Sequence, residues 1–191
     1  IMVAKHRVTR TEQDEMAIVS HNLAAKAWEE GHHEKEVVPV QIPPKFKFIN
    51  KDNGIRPGSK IEKLAKLRPV FDKKHGTLNA ANSSFLTDGS AVVLLMTESK
   101  AKELGLKPKA EIIDYSFTGQ RLEDELLLGP AFAMSKVLDN ANLKLEDIDV
   151  FEIHEAFAGQ VLANIKCLDS EDFCKDRLKK GKKVGKIDMS K

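Results

Sequence analysis

The stretch DVFEIHEAFAGQVLANIKC, residues Asp149–Cys167, decides how this chain is read. It opens as an apolar run of strand type and closes as an amphipathic run of helix type, with His154 and Glu155 at the seam. In α/β sheets ligands gather outside the carboxyl ends of the strands, where helix N-termini also point. The free N–H groups and dipole of such a helix favour negative charge, so a bound oxyanion or thioester oxygen suits the place. Residue chemistry alone leaves two readings of His154. It is a structural histidine satisfied by nearby backbone, the commoner case, or it polarises a carbonyl or holds a water in an oxyanion hole. A zinc site by the zincin pattern is excluded, because the second His falls where Ala158 stands. No metal site is expected.

Outward from the seam, strand and helix patterns alternate. Residues 91–96, AVVLLM, are apolar without alternation, as expected of a strand covered on both faces. Thr97 caps a short helix through Leu104 that Gly105 ends. AEIIDYSFTG (110–119) is a second strand, and GPAFAMSKVLDNANL (129–143) is a helix with Pro130 at or near its first position. DIDVFEI (147–153) is a third strand, and Ala156 to Leu168 a further helix. Strands separated by helices predict an α/β layered fold. Near the N-terminus Thr9 and Glu12 have capping-box spacing. Met16, Ser20, Leu23, Ala24 and Ala27 then trace one helix face ending near Gly31. EVVPVQI (36–42), interrupted by Pro39, predicts an edge or irregular strand. Residues 43–68 predict a long irregular excursion rich in Lys, and long ordered loops are more often functional than not.

The bulk numbers bound the classes. A chain of 191 residues holds one full domain or parts of two, and 41% apolar with 31% charged residues excludes disorder. A net charge of +2 gives no argument for nucleic acid. No apolar run approaches the length of a membrane span. Cys167 and Cys174 suggest a reducing compartment and read as packing or surface thiols seven residues apart on one helix face. His32 and His33 are expected to be solvated, and the basic tail KDRLKKGKKVGK (175–186) solvated and poorly ordered.

DIDVFEIHEAFAGQ resembles the signature of the C-terminal half of the thiolases, usually Asn-Glu-Ala-Phe-Ala. The match extends outward in order and spacing, through GPAFAMSKVLDNANLKLEDID, KLRPVFDKKHGTLNAANSSFLTDGSAVVLLMTE and TRTEQDEMAIVSHNLAAKAWEEG. Within the family, His154 in place of Asn, with NGIRPGS, AANSSFLTDG and LLLGP, is similar to the long-chain 3-ketoacyl-CoA thiolases of the mitochondrial trifunctional enzyme β-subunit type.

The resemblance implies a thiolase-like αβαβα fold, here incomplete. Residues 1–75 would be a loop-domain segment, 76–108 the end of the N-terminal half, and 109–191 the first part of the C-terminal half. It implies cleavage of 3-ketoacyl-CoA by CoA to acetyl-CoA and a shortened acyl-CoA, with coenzyme A as substrate and no covalently bound cofactor. The family's nucleophilic Cys lies upstream of any residue here, and its Gly-His-Pro motif and second Cys lie downstream. The chain is therefore expected to be a central, by itself inactive, segment of a longer enzyme. His154 would serve the enolate oxyanion hole and Glu155 would orient it. Arg56, Lys63, Phe71, Ser84, Ala156 and Phe157 would line the CoA path, with Lys63 departing from the family's Ser and Phe157 equally readable as core. A homodimer or tetramer, a hydratase/dehydrogenase α subunit and the inner-membrane surface of the mitochondrial matrix are the implied partners and place. A short-chain or biosynthetic acetoacetyl-CoA thiolase, and a non-catalytic CoA-binding or subunit-interaction module, are the competing readings.

Overall fold

Thr9 starts the longest element. In the computed structural model, which describes residues 1–190, helix α2 (Arg10–Glu29) follows a four-residue helix α1 (Met2–Lys5). The expected capping box is formed: Glu12 N–H donates to Thr9 Oγ1 at 3.2 Å, and Thr9 N–H donates to the Glu12 carboxylate at 2.6 Å. Two orphan donors of the first turn are thereby satisfied. Gly31, at φ +75°, adopts the left-handed turn that follows the helix.

Two compact units are present. The first comprises Ile1–Phe85 with His154–Ala163, the second Leu86–Ile153 with Asn164–Lys191. In the first, the predicted edge strand becomes β1 (Val40–Ile42), paired antiparallel with β2 (Lys47–Ile49), and a one-turn helix α3 (Ile61–Leu64) follows. Both β2 and α3 fall within residues read as irregular. The centre of this unit is polar. Asp14, almost fully buried, accepts from Arg10 Nε at 2.7 Å, Asn79 Nδ2 at 3.2 Å and Asn82 Nδ2 at 2.8 Å. Arg10 also donates to the carbonyls of Leu64 (2.6 Å) and Leu67 (3.1 Å), tying α2 to α3. Buried polar groups persist only when bonded, and these are.

The second unit contains α4 (Glu98–Glu103), α5 (Leu122–Glu125), α6 (Gly129–Ala141), a 3₁₀ turn (Leu145–Asp147), the end of α7 (Ala158–Leu168) and α8 (Glu171–Asp176). Thr97 caps α4, Pro130 stands in the first turn of α6, and Asn142 ends α6 in the left-handed region. Asn164, fully buried, accepts from Ala131 N–H at 2.8 Å and donates to Leu127 O at 2.9 Å, joining α7 to the entry of α6. Buried Glu125 is ion-paired with Arg177, and Phe132 meets Phe173 edge-on at 5.7 Å. A groove of about 660 Å³ lined by Leu143, Leu145, Phe151, Lys182 and Lys186, among others, contains none of the expected site residues.

Four expectations are corrected. Residues 91–96, 110–119 and 147–153 form no strand: their backbone enters no ladder, and Val92 and Leu95 are 92% and 70% exposed. An unalternating apolar run is a strand only when neighbours pair its backbone and cover both faces, and no described residue does so here. Helix α7 begins at Ala158, not Ala156. The two cysteines do not share a helix, because α7 stops at Leu168 and Ser170 caps α8. Both are buried packing thiols, Cys174 Sγ donating to the carbonyl of Leu168 at 3.4 Å. The basic tail is ordered. Ile187 is buried, Gly185 N–H donates to Leu168 O, and Lys180 and Lys183 pair with Asp139 and Asp169. Those partners lie too far away in sequence for charge density alone to reveal. No described helix is long and apolar enough to cross a membrane.

Candidate active site

The seam is held by backbone before any side chain acts. Residues 82–84 run against 156–158: Ser83 and Phe157 form an antiparallel bridge, Ser84 N–H donates to Ala156 O at 2.8 Å, and Ala158 N–H donates to Asn82 O at 3.0 Å. The last bond satisfies one of the donors that a helix start leaves open. Asn82 is itself fixed by Asp14, and Asn79, also bonded to Asp14, accepts from the Ser83 hydroxyl at 2.7 Å, so the buried polar centre of the unit reaches the seam through two residues. Gly159 completes the fit. A Cβ there would stand 2.6 Å from Val3 Cγ1 and 2.8 Å from Gln13 Oε1, so the close approach of α7 to α1 and α2 requires glycine.

Glu155 Oε2 accepts from the Ser20 hydroxyl at 2.6 Å. A cleft of about 200 Å³ opens beside this bond, lined by Ser20, His21, Ser84, Phe85, Glu155 and Ala158 among others. Ser84 and Glu155, expected from sequence to act at one site, therefore share one cleft. Ala156 is tied to Ser84 through its backbone but does not line the cleft, and Phe157, half-buried, meets exposed Phe71 edge-on at 5.8 Å. Phe157 is thus neither plain core nor free, but half of an aromatic step. His154 is exposed; it adjoins Glu155 in sequence but does not line the cleft.

Arg56 lies on the loop between β2 and α3, its guanidinium turned back to the carbonyls of Asn53 (2.7 Å) and Ile55 (3.1 Å). Its backbone N–H donates to His21 Nδ1 at 3.3 Å, and Gly58 N–H donates to Asn22 Oδ1 at 3.0 Å. The loop thereby reaches the cleft through α2. Lys63, exposed on α3, does not line it. Burial, then the Arg56 charge, hold the His21 ring below the usual histidine value of 6.5, opposed by Glu155.

Sequence reasoning missed Ser20, His21 and Asn22. The signal that marks them is three successive weak helix formers mid-helix, whose side chains are free to bond to other segments. Sequence also missed the Asp14 centre, since nothing local marks which acid on a helix will be buried.

Residues 2–99 match the thiolase N-terminal domain and residues 106–185 the thiolase C-terminal domain. The chain belongs to the thiolase family. It is 51% identical over all of its length to a probable 3-ketoacyl-CoA thiolase of Caenorhabditis elegans, covering 42% of that protein. It is 49% identical to the mitochondrial trifunctional enzyme subunit beta of Mus musculus, with 100% of this chain and 39% of that protein aligned. Among solved structures, the acetyl-CoA acetyltransferase of Bacillus anthracis superposes with a TM-score of 0.81 at 43% identity, over 98% of this chain and 47% of that one. The chain thus has the incomplete thiolase-like α/β fold expected from the sequence, and it spans about two-fifths of the length of the curated relatives it matches.

Proposed function

We propose that this chain forms the central part of a 3-ketoacyl-CoA thiolase of fatty-acid β-oxidation, in which CoA cleaves a 3-ketoacyl-CoA to acetyl-CoA and a shortened acyl-CoA. The observation that carries the reading is the clamp of residues 82–84 on 156–158. It brings Ser84, expected to line the CoA path, and Glu155 to one cleft, with the Phe71–Phe157 step in the same unit.

In this reading a Cys nucleophile outside these residues takes the acyl group, since neither buried thiol here is open to a substrate. His154 serves the hole that stabilises the enolate oxygen, and Glu155, anchored by Ser20, orients the seam. Arg56 meets the CoA phosphates, and Lys63 adds positive charge nearby. The proposed divisions are residues 1–75, 76–108 and 109–191. The likeness to the mouse trifunctional β subunit supports long-chain substrates, a mitochondrial matrix location at the inner membrane, association of thiolase copies and a hydratase/dehydrogenase α-subunit partner.

The test is a transplant. Replacing the matching segment of the nematode relative with this chain should preserve CoA-dependent cleavage of 3-ketohexadecanoyl-CoA, whereas the 191-residue chain alone should be inactive. A folded but inactive transplant, or turnover by the chain alone, contradicts the proposal.

A further inference from the structure

Ser20, His21 and Asn22, consecutive on α2, each hold a different piece of the unit. Ser20 takes the Glu155 carboxylate, His21 the amide of Arg56 and Asn22 the amide of Gly58. The loop carrying Arg56 has no strand pairing of its own, and two of its amides end on these neighbouring side chains. A third contact supports the attachment. The His21 ring lies 6.2 Å from Phe85, and Phe85 covers Gly54 so closely that a Cβ there would stand 2.7 Å from the ring.

For Nδ1 to accept from Arg56 N–H, the imidazole must be neutral with its proton on Nε2. Protonation puts a hydrogen on Nδ1, which then opposes the Arg56 amide, and adds a positive charge next to the guanidinium. The charged groups facing the ring are Arg56 from the loop and Glu155 from the seam. The packed segment 82–85 (Asn, Ser, Ser, Phe) brings none, and α2 offers only Ala17, Ile18, Ala24 and Ala25 one turn away.

We propose that His21 is a positioning residue whose neutral ring clasps the 53–58 loop to α2, fixing where Arg56 stands for the CoA nucleotide, and that protonation opens the clasp. The nucleotide half of this statement rests on the function proposed above; the clasp itself rests on geometry. Burial and the Arg56 charge disfavour the protonated ring, which agrees with a neutral group at work and places the opening on the acid side of the usual histidine range.

The experiment uses the full chain with two readouts at pH 7.5 and 5.5: amide exchange protection at Arg56 and Gly58, and coenzyme A affinity by calorimetry. In the native chain protection and affinity should both fall at the lower pH, by about tenfold for one lost hydrogen bond. His21→Asn places a non-titrating acceptor near the position of Nδ1 and should hold both readouts level across the pH range. His21→Phe keeps the ring against Phe85 without an acceptor and should be low at both pH values. Equal protection in the native chain and His21→Phe, or no pH dependence in the native chain, overturns the clasp. Protection that responds while CoA affinity does not overturns the positioning role and leaves the clasp. CoA failing to bind at either pH, with protection responding, sinks the nucleotide-site reading alone.

Discussion

Removing the carboxylate of Asp14 should detach the seam from α2. Asp14 is 1% exposed and accepts three hydrogen bonds, from Arg10, Asn79 and Asn82, and both asparagines are buried. Asp14→Ala leaves a largely buried guanidinium and two buried amide groups without their acceptor. Breaking one side of a buried ion pair costs about 3–5 kcal/mol. Each unsatisfied buried donor costs about 1–3 kcal/mol. These losses share one site and do not sum, and Arg10 keeps its bonds to two carbonyls, so the expected total is about 3–4 kcal/mol. Against a whole-domain stability of about 5–15 kcal/mol that is a large fraction. Asp14→Asn retains one acceptor oxygen and should lose about half as much. Urea unfolding followed by the single tryptophan, Trp28 on α2, reports this unit directly. The Ser84 amide should lose exchange protection in parallel, because Asn82 transmits the change to the clamp. A loss below about 1 kcal/mol for Asp14→Ala would refute the claim that this centre holds the seam.

Three further outcomes follow from contacts already described. Gly159→Ala should destabilise by about 1–3 kcal/mol through overpacking against Val3 and Gln13, outweighing the roughly 1 kcal/mol helix gain of alanine; a raised melting temperature would contradict it. Arg56→Ala should weaken CoA binding and flatten its salt dependence in calorimetry, and equal affinities would remove Arg56 from the site. Amides of residues 91–96 should exchange nearly freely in the chain alone and become protected in the transplant, where strands can pair them; slow exchange in the chain alone would contradict their exposure.

What sequence revealed divides by the range of the forces involved. Helices α2, α4 and α6 were legible because their signals are local: the Thr9–Glu12 box, the Thr97 cap, Pro130 and Gly105 act within a turn of the helix end. The three strands were not, because a strand exists only through partners distant in sequence. The order of the tail was hidden for the same reason, since Lys180 finds Asp139 across forty-one positions. At the site, Ser84, Glu155, Ala156, Phe157 and Phe71 came from family resemblance and fall in one unit. The side-chain bonds around them, from Ser20 to Glu155, His21 to Arg56 and Asp14 to Asn82, carry no motif and became visible only with coordinates.

In the function proposed above, His154 acts on the reacting oxygen. Turnover and melting temperature of the transplant carrying His154→Ala and His154→Asn test it most directly. His154 is exposed, so its loss should leave stability nearly unchanged. A lost oxyanion-hole donor should instead lower kcat roughly 10²–10³-fold in His154→Ala. His154→Asn should be milder, because an amide can supply the same donor. Normal kcat in His154→Ala, or a fall in melting temperature with turnover intact in the folded fraction, would contradict the account.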